Sequence, residues 1–488
     1  METVGLRWTG HPLIDMGVAA IIIATDNDTP EEVTTQQWRG LMLDLKQDYL
    51  LGVYRKPSYA LHHNLFEEPS KVGANEKSII ARQSFIDAFF ESLLLYPQPN
   101  SESCTFFPEQ KAVLRSARDK VPMLLGKGQL NFYPHGKPEL PISPLALGCV
   151  LAIPICTPPI SGRLPVLAID DKNLLLNICY AWFLELKTEY ALIKLKNEAL
   201  KDRKAPKTRL WETLHDVFGL SNRYHQSEQK TSKAVLASIT MYHLSNIGTG
   251  PGIDIYTVLP QILKFVRKTK GNLYAQSWTA LINAYWINAS GKLSGKVPDP
   301  DKILKLKNAI YESLDQLPDN VATFIRRFFL GFARNRVGVK SDIQTQNIDI
   351  WPLINLFLKE VLNMSPSRIQ KIQSLADALA SEVIENNDKS VFRSVLGTTG
   401  GDAYSAFRNL LVRTLKKRLE RTDDLMFTME DYLEIFESGE EVVVSDWRLA
   451  RDLIRIRFLE SLHRADFFKK EGKELLASLS NDESDDEQ

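Results

Sequence analysis

The stretch Ile239–Tyr256, ITMYHLSNIGTGPGIDIY, consists of two β-prone apolar runs separated by a loop. The loop contains Gly248, Gly250, Pro251 and Gly252, and glycine and proline clustered between apolar runs predict a strand, a loop and a second strand. The chain before this stretch is rich in proline, glycine and short apolar runs, whereas helical periodicity follows it almost to the end. The stretch is therefore predicted to join a mixed N-terminal part to an α-helical C-terminal part.

The predicted fold class is α+β. A mixed α/β N-terminal part with short strands and long loops precedes a predominantly α-helical part that ends in a C-terminal helical bundle. The length of 488 residues corresponds to roughly two to four domains. We expect an N-terminal domain over residues 1–257, with an irregular insert at about 97–165, and a helical middle segment over 258–345. A C-terminal bundle is expected over 346–477, followed by an acidic tail over 478–488 that is disordered by composition.

Local signals predict several elements of the N-terminal part. The apolar run Met16–Ala24 predicts a short helix, and Thr29-Pro30-Glu31-Glu32 predicts the start of a helix that continues to about residue 49. The segment LLGKGQLNFYPHGKPELPISPLALGCVLAIPICTPP (residues 124–159) predicts short strands and loops, because prolines and glycines interrupt it repeatedly. The basic stretch over residues 199–207 is predicted to be a linker.

The net charge alone argues against a polyanionic partner, because the 60 basic residues equal the 60 acidic ones. The last eleven residues, SLSNDESDDEQ, nevertheless hold five acids and no base, so the rest of the chain carries a net charge of +5. A body of that charge, with its basic residues clustered, permits a polyanionic partner without requiring one.

The sequence contains no recognised set of catalytic residues. HExxH and GxSxG are absent, and the pairs His215-Asp216 and His62-His63 stand alone. The alternate glycines of the 248–252 loop fit neither phosphate-binding loop motif. We therefore expect no enzymatic activity. An enzyme whose active site is assembled from dispersed residues is the weakest of the alternatives.

The cysteines bear on metal binding and on cellular compartment. Cys104, His135, Cys149 and Cys156 lie in the irregular region, but structural zinc sites normally present closely paired ligands, whereas these positions read CTFF and CVLAIPIC. The spacing favours buried, reduced thiols over zinc, and no cofactor is expected. The run Met16–Ala24 is too short to cross a bilayer, so we expect a cytoplasmic protein without a membrane partner.

Two basic clusters are candidates for contact with a phosphate backbone. In FIRRFFLGFARNRVGVK (324–340), Arg326 and Arg327 adjoin an aromatic face; in RNLLVRTLKKRLER (408–421), Arg413, Lys417 and Arg421 recur every four residues. Like charges at this spacing repel unless an anion lies over them. A solvated basic face is the alternative interpretation for either cluster.

Four motifs in this order carry a resemblance to a known family: WTGHPLIDMGVAAI (8–21), LLGKGQLNFYPHG (124–136), YHLSNIGTGPGIDIY (242–256) and DWRLARDLIRIRFLESL (446–462). Together they resemble the large subunit of type I-B CRISPR effector complexes (Cascade), of the kind named for its CXXC–CXXC pattern. The cysteine pairs are degenerate in this chain, because only Cys104 remains in the first place and Cys149 and Cys156 are too far apart in the second. The insert at about 97–165 is therefore expected to be a degenerate, zinc-ribbon-like segment without the metal.

The resemblance implies a non-catalytic subunit that contacts the guide RNA at its 5′ handle end. Such a subunit helps to recognise the protospacer-adjacent motif in duplex DNA and to stabilise the R-loop, while base pairing reads the target sequence. The implied partners are the backbone, handle-binding and small subunits of the guide RNA–protein complex, double-stranded target DNA, and a helicase–nuclease or a transposition adaptor. A protein-only helical adaptor without direct nucleic-acid binding is the alternative function.

The site residues expected on this basis form three groups. Lys127, Gln129 and Asn131 lie in a small polar loop suited to reading the DNA motif. Asn246, Gly248 and Gly250 shape a second loop near nucleic acid. The candidates for backbone contacts are Arg326, Arg327, Arg413, Lys417 and Arg421.

Met364 opens the segment MSPSRIQKIQ near the start of the expected bundle. The resemblance implies that a separate small subunit is translated from an internal start, and Met364 is the candidate position. An ordinary methionine in a loop before a helix is the alternative interpretation.

Overall fold

The computed structural model describes residues 2–62, 76–91, 93, 101–118, 120–124, 139–196, 198–219, 237–246, 251–288, 290–294, 298–337, 348–386, 388–397, 403–422, 425–436 and 443–468. Helices predominate, and a few short antiparallel strands form small sheets, which confirms the predicted α+β fold class. Among the helices in these ranges, none is both long enough and apolar enough to span a membrane.

The chain divides into two compact units. The first comprises Met1–Leu263 and Asp299–Lys307, and the second comprises Lys264–Pro298 and Asn308–Gln488. The second unit thus contains residues of both the expected middle segment and the expected C-terminal bundle.

The seven strands in the described ranges are short. They are β1 (Leu114–Ser116), β2 (Leu140–Ile142), β3 (Leu164–Ile169), β4 (Ile239–Ser245), β5 (Gly252–Val258), β6 (Trp286–Ile287) and β7 (Lys307–Asn308).

The helices account for most of the remaining regular structure. They are α1 (Pro12–Ala24), α2 (Thr35–Leu50), α3 (Arg55–Leu61), α4 (Glu76–Glu91), α5 (Pro144–Ala152), α6 (Lys172–Lys196), α7 (Pro206–Gly219), α8 (Pro260–Lys268), α9 (Asn272–Ala284), α10 (Pro300–Ile303), α11 (Ala309–Ser313), α12 (Val321–Phe324), α13 (Gly331–Val337), α14 (Trp351–Glu360), α15 (Pro366–Asn386), α16 (Lys389–Gly397), α17 (Ala403–Thr422), α18 (Met429–Phe436) and α19 (Val443–Arg464).

The stretch Ile239–Tyr256 forms the predicted pair of strands. β4 is the central strand of an antiparallel sheet in the order β3–β4–β5, so that Ile239 lies opposite Ile169 on one side and Val258 on the other. Ile239 and Met241 are fully buried, which is the alternation expected of a strand with one face on the core. Four residues of the loop, 247–250, lie outside the described ranges.

The core of the first unit is built on α1, which packs against α5, α6 and β3. Gly17 permits a very close approach of two helices, since a Cβ atom placed there would lie 2.1 Å from the carbonyl oxygen of Cys149 on α5. On the other side of α5, a Cβ at Gly148 would lie 3.2 Å from atoms of Trp38 and Met42 on α2. The approach of α1 to α5 therefore requires glycine at position 17, and α2 packs tightly on α5 at Gly148.

The entry to α1 is fixed by the buried carboxylate of Asp15. This carboxylate accepts hydrogen bonds from the backbone N–H and the hydroxyl of Thr9, at 2.8 and 2.9 Å, and from the N–H of Gly10 at 3.2 Å. The Lys172 ammonium at the start of α6 donates to the same carboxylate at 2.8 Å. Through Asp15, the motif WTGHPLIDMG therefore joins the segment before α1 to the start of α6.

Two local predictions in the N-terminal part are wrong. α2 begins at Thr35, because the Thr34 hydroxyl caps it by accepting from the Gln37 N–H at 3.2 Å, and the residues Pro30–Glu32 form only a short 3₁₀ turn. Within the segment predicted as strands and loops, PLALGCVLA folds as α5 with Ser143 as its N-cap. Because α5 is buried on all sides, it shows no polar–apolar periodicity from which a helix could be predicted.

The basic stretch 199–207 is not a free linker. Arg203 is almost completely buried, and its guanidinium donates to Glu185 and Glu189 on α6 at 2.6 Å each. Backbone hydrogen bonds also join this stretch to Ser161 and Leu304. The prediction failed because a buried ion pair and an exposed basic run have the same local sequence.

The second unit has an aromatic core and a long packing helix. Phe265, Trp278, Phe324, Phe329 and Phe357 form a continuous set of ring contacts with centroids 5.3–5.8 Å apart. α19 packs against α15 and against the segment 325–330. Residues Ile325–Leu330, in the middle of the aromatic stretch, form a π-helix between α12 and α13.

Met364 lies between α14 and α15, where its N–H donates to the Leu358 carbonyl at 3.0 Å. Both α14 and α15 pack against α19. Its use as an internal start stays a prediction.

Gly17→Ala tests the close approach of α1 and α5. The added methyl group would overlap backbone atoms of Cys149 that no side-chain rotation can move, so we expect a loss of roughly 1–3 kcal/mol in the free energy of unfolding and a lower midpoint of thermal unfolding.

The matched control is Gly40→Ala in α2, because that position is exposed and a Cβ there meets nothing within 4 Å. This control is expected to leave the midpoint unchanged or to raise it, since alanine favours the helix. Equal midpoints for the two variants would contradict the packing described.

Candidate nucleic-acid interface

Most residues of the two predicted loops lie outside the described ranges. These are Lys127, Gln129 and Asn131 of the motif-reading loop, and Gly248 and Gly250 of the second loop. Their assignment to nucleic acid stays a prediction.

Asn246 is described, and its side chain is fully buried. Its amide oxygen accepts from Arg118 Nε at 2.8 Å, and its amide nitrogen donates to the carbonyl oxygens of Leu61 and Arg118 at 2.8 and 2.9 Å. Every polar group of this side chain is therefore used to hold the end of β4 against α3 and the segment around Arg118. Asn246 anchors the base of the second loop and does not itself present a contact surface.

The cysteines behave as core residues. Cys104, Cys149, Cys156 and Cys179 are buried free thiols, and burial raises the pKa of Cys149 well above its ordinary value, which keeps that thiol protonated. Within the described residues, no group of three or more histidine, cysteine, aspartate or glutamate side chains is arranged to hold a metal ion. His135 lies outside the described ranges.

The basic stripe on α17 has carboxylates from neighbouring segments beside it. Lys417 donates to Asp388 at 3.1 Å, and Arg421 pairs with the buried Glu382 on α15. Partial burial alone would raise the pKa of Asp388, but hydrogen bonds from Ser390 and Lys417 lower it. The anions that lie over Lys417 and Arg421 thus belong to the same chain.

Arg413 differs from the other two members of the stripe. Its exposed side chain makes only a long hydrogen bond, 3.4 Å, to the Asn409 carbonyl one turn earlier, and it forms no ion pair with a described residue. Of the stripe, Arg413 alone therefore keeps its charge available for an external anion.

The arginines Arg326 and Arg327 lie on the π-helix Ile325–Leu330, and both are exposed. At the end of this segment the Gly331 N–H donates to the carbonyls of Arg326 and Phe328, and the buried Tyr285 hydroxyl reaches the carbonyls of Arg327 and Phe328 at 3.0 and 2.9 Å. The hydroxyl supplies a donor where the widened turn alters the normal helical hydrogen bonding. Single π-turns of this kind occur frequently at functional sites.

Arg326 belongs to a group of charged residues that the sequence alone did not bring together. Its Nε donates to the buried carboxylate of Asp452 on α19 at 3.0 Å. Arg451 donates to the same carboxylate at 3.0 and 3.1 Å, and an Arg455 terminal nitrogen lies 3.6 Å from it. We call Arg326, Arg448, Arg451, Asp452 and Arg455 the Asp452 cluster.

Positive charge exceeds negative charge in the Asp452 cluster. Burial lowers the pKa of Arg451, Asp452 opposes this effect, and the charge of Arg448 adds to the lowering. Burial, followed by the charge of Arg451, lowers the pKa of Arg455 to about 9. Burial is the largest cause of both lowered pKa values, and the charges of neighbouring arginines add to it.

Part of this cluster could have been predicted from the sequence. Arg448, Arg451, Asp452 and Arg455 follow the spacing i, i+3, i+4, i+7, which places them on one face of α19. The contact of Arg326 with Asp452 could not be predicted from local sequence, because 126 residues separate the two.

Comparisons with family models, with curated proteins and with solved structures give no match for this chain.

Tyr285→Phe tests whether the tyrosine hydroxyl stabilises the π-helix. Removing the hydroxyl takes away the donor shared by the Arg327 and Phe328 carbonyls, so we expect a loss of about 1–3 kcal/mol in the free energy of unfolding, measured by thermal or denaturant unfolding.

Tyr274→Phe on α9 is the matched control, because the Tyr274 hydroxyl makes no hydrogen bond with a described residue and lies in the same unit. If both variants unfold at the same midpoint, the hydroxyl does not support the π-helix.

Proposed function

We propose that this chain is a non-catalytic, nucleic-acid-binding large subunit of a cytoplasmic type I-B CRISPR effector complex. The Asp452 cluster is the observation that carries the proposal, because it gathers several guanidinium groups, the half-exposed one of Arg326 among them, around one buried carboxylate. Phosphate backbones are the abundant cellular polyanions that such a surface binds. The four motifs that resemble the family supply the more specific role.

In this role the chain contacts the guide RNA at its 5′ handle end, helps to recognise the motif beside the target in duplex DNA, and stabilises the opened strands. The backbone, handle-binding and small subunits are its partners in the complex, and a helicase–nuclease or a transposition adaptor follows it. Base pairing reads the target, so the protein itself needs backbone contacts and only a short motif-reading loop.

A protein-only helical adaptor is the second candidate. The α17 stripe favours it, because Lys417 and Arg421 are engaged by Asp388 and Glu382 of the same chain. An adaptor of this kind would bind its partner with little dependence on salt and would ignore nucleic acid.

Co-purification distinguishes the two candidates. The tagged chain is expressed with its neighbouring genes and a guide array, and the purified material is analysed for guide RNA and for additional subunits. We expect a stoichiometric guide RNA together with several proteins. Purification of the chain alone, with no RNA and no binding of DNA at low salt, would favour the adaptor and exclude the complex.

A further inference from the structure

The arginines of the Asp452 cluster fall into a buried pair and an exposed pair. The side chains of Arg451 and Arg455 are only 8% and 3% exposed. The Arg451 guanidinium lies 5.0 Å from the ring centre of Trp447, and Arg455 Nε donates to the Val395 carbonyl at 2.9 Å. Both are therefore committed to internal contacts.

Arg326 and Arg448 form the exposed pair. The Arg326 side chain is 50% exposed and contacts Asp452 through Nε alone, so its terminal nitrogens hydrogen-bond to no other described residue. Arg448 is exposed, lies one turn before Asp452 on the same face of α19, and forms no ion pair with a described residue. Arg326 thus contacts a carboxylate that is itself only 2% exposed, and the charges of Arg326 and Arg448 both act on the neighbouring Arg451.

We propose that Arg326 and Arg448 form a phosphate-binding site, with Asp452 as its internal counter-ion, and that the phosphate is part of a nucleic-acid backbone. The choice of nucleic acid as the source rests on the proposed function. The phosphate chemistry itself rests on the geometry, since a guanidinium with free terminal nitrogens binds phosphate oxygens in the planar, bidentate manner that an ammonium cannot.

Asp452 has a separate role from that of a ligand. A buried group of arginines without a counter-ion would destabilise the fold, so the carboxylate keeps the second unit folded when the site is empty. Because Arg451 and Arg455 also hold this carboxylate, a phosphate binds beside it and does not have to displace it. The free site therefore stays folded and keeps two exposed cations.

Arg327 contributes less than its neighbour to this site. Its guanidinium carbon lies 5.3 Å from the ring centre of Phe328, and among the described residues its side chain forms no ion pair with Asp452. The pair Arg326 and Arg448 is thus the smallest set that tests the proposal.

The experiment compares the full chain with the double variant Arg326→Ala/Arg448→Ala. The control is Arg39→Ala/Lys292→Ala, which removes the same charge from two exposed side chains that form no ion pair with described residues. Binding of a single-stranded oligodeoxynucleotide and of a duplex is measured between about 50 and 200 mM salt. Thermal unfolding is measured in parallel with and without inorganic pyrophosphate.

We expect the Arg326/Arg448 variant to bind the oligonucleotides roughly tenfold or more weakly at low salt. Its slope of log affinity against log salt concentration should fall by about one for each phosphate contact that is lost. The control variant should keep the wild-type slope. The unfolding midpoint without ligand should stay near the wild-type value, because Asp452 retains Arg451 and Arg455.

The outcomes separate this site from the proposed function. Wild-type chain that binds oligonucleotides, with the same slope in both variants, would overturn the site and leave the proposed function in place. Stabilisation by pyrophosphate that depends on Arg326 and Arg448, without oligonucleotide binding, would support the phosphate site, identify a small anion as its source and count against the proposed function. No binding of either probe would overturn both.

Discussion

One buried carboxylate, that of Asp452, determines how the second unit presents its positive charge. It draws Arg326 from the π-helix and Arg451 and Arg455 from α19 to one point, and so links two segments that are far apart in sequence. Three guanidinium groups, those of Arg326, Arg451 and Arg455, share this carboxylate. A buried carboxylate stabilises arginines that would otherwise be uncompensated in the fold, and the proposed phosphate site lies beside it.

The two basic clusters show why local charge density is a poor guide to function. The α17 stripe has the more regular spacing in the sequence, but Asp388 and Glu382 engage Lys417 and Arg421. Arg451 and Arg455 look like part of an ordinary helix in the sequence, yet they converge with Arg326 on Asp452. The difference lies in the acids that tertiary packing brings to each cluster.

In the first unit, a glycine and a buried acid fix the position of helix α1. Gly17 lets α1 approach the backbone of α5, and Asp15 fixes the entry to α1 through the N–H groups of Thr9 and Gly10. The opening motif, which contributes to the family resemblance, is thereby explained by packing and hydrogen bonding.

The sequence predicted those features that depend on local pattern. The α+β class and the strand pair around residues 247–250 follow from composition, periodicity and turn residues, and both are present. α5 could not be predicted in this way, because a helix buried on all sides has no polar face. The π-helix was hidden as well, since its phenylalanines still follow an approximately helical period.

The candidate site was only partly predictable, for a different reason. Arg326 was identified from the charge next to an aromatic face, and the arginines of α19 are visible in the sequence. Their meeting at Asp452 is a tertiary contact across 126 residues. Arg203 was mispredicted for the same reason. Tertiary packing pairs it with Glu185 and Glu189 on α6, so a stretch predicted to be a linker contains a buried ion pair.

Hydrogen–deuterium exchange of the full chain, with and without a bound oligonucleotide, tests the central claim most directly. If a phosphate backbone lies across Arg326 and Arg448, exchange should slow in the segments Ile325–Leu330 and Val443–Arg464 and stay unchanged in Ala403–Thr422. Protection confined to Ala403–Thr422, or protection in neither region while the oligonucleotide is bound, would contradict the account.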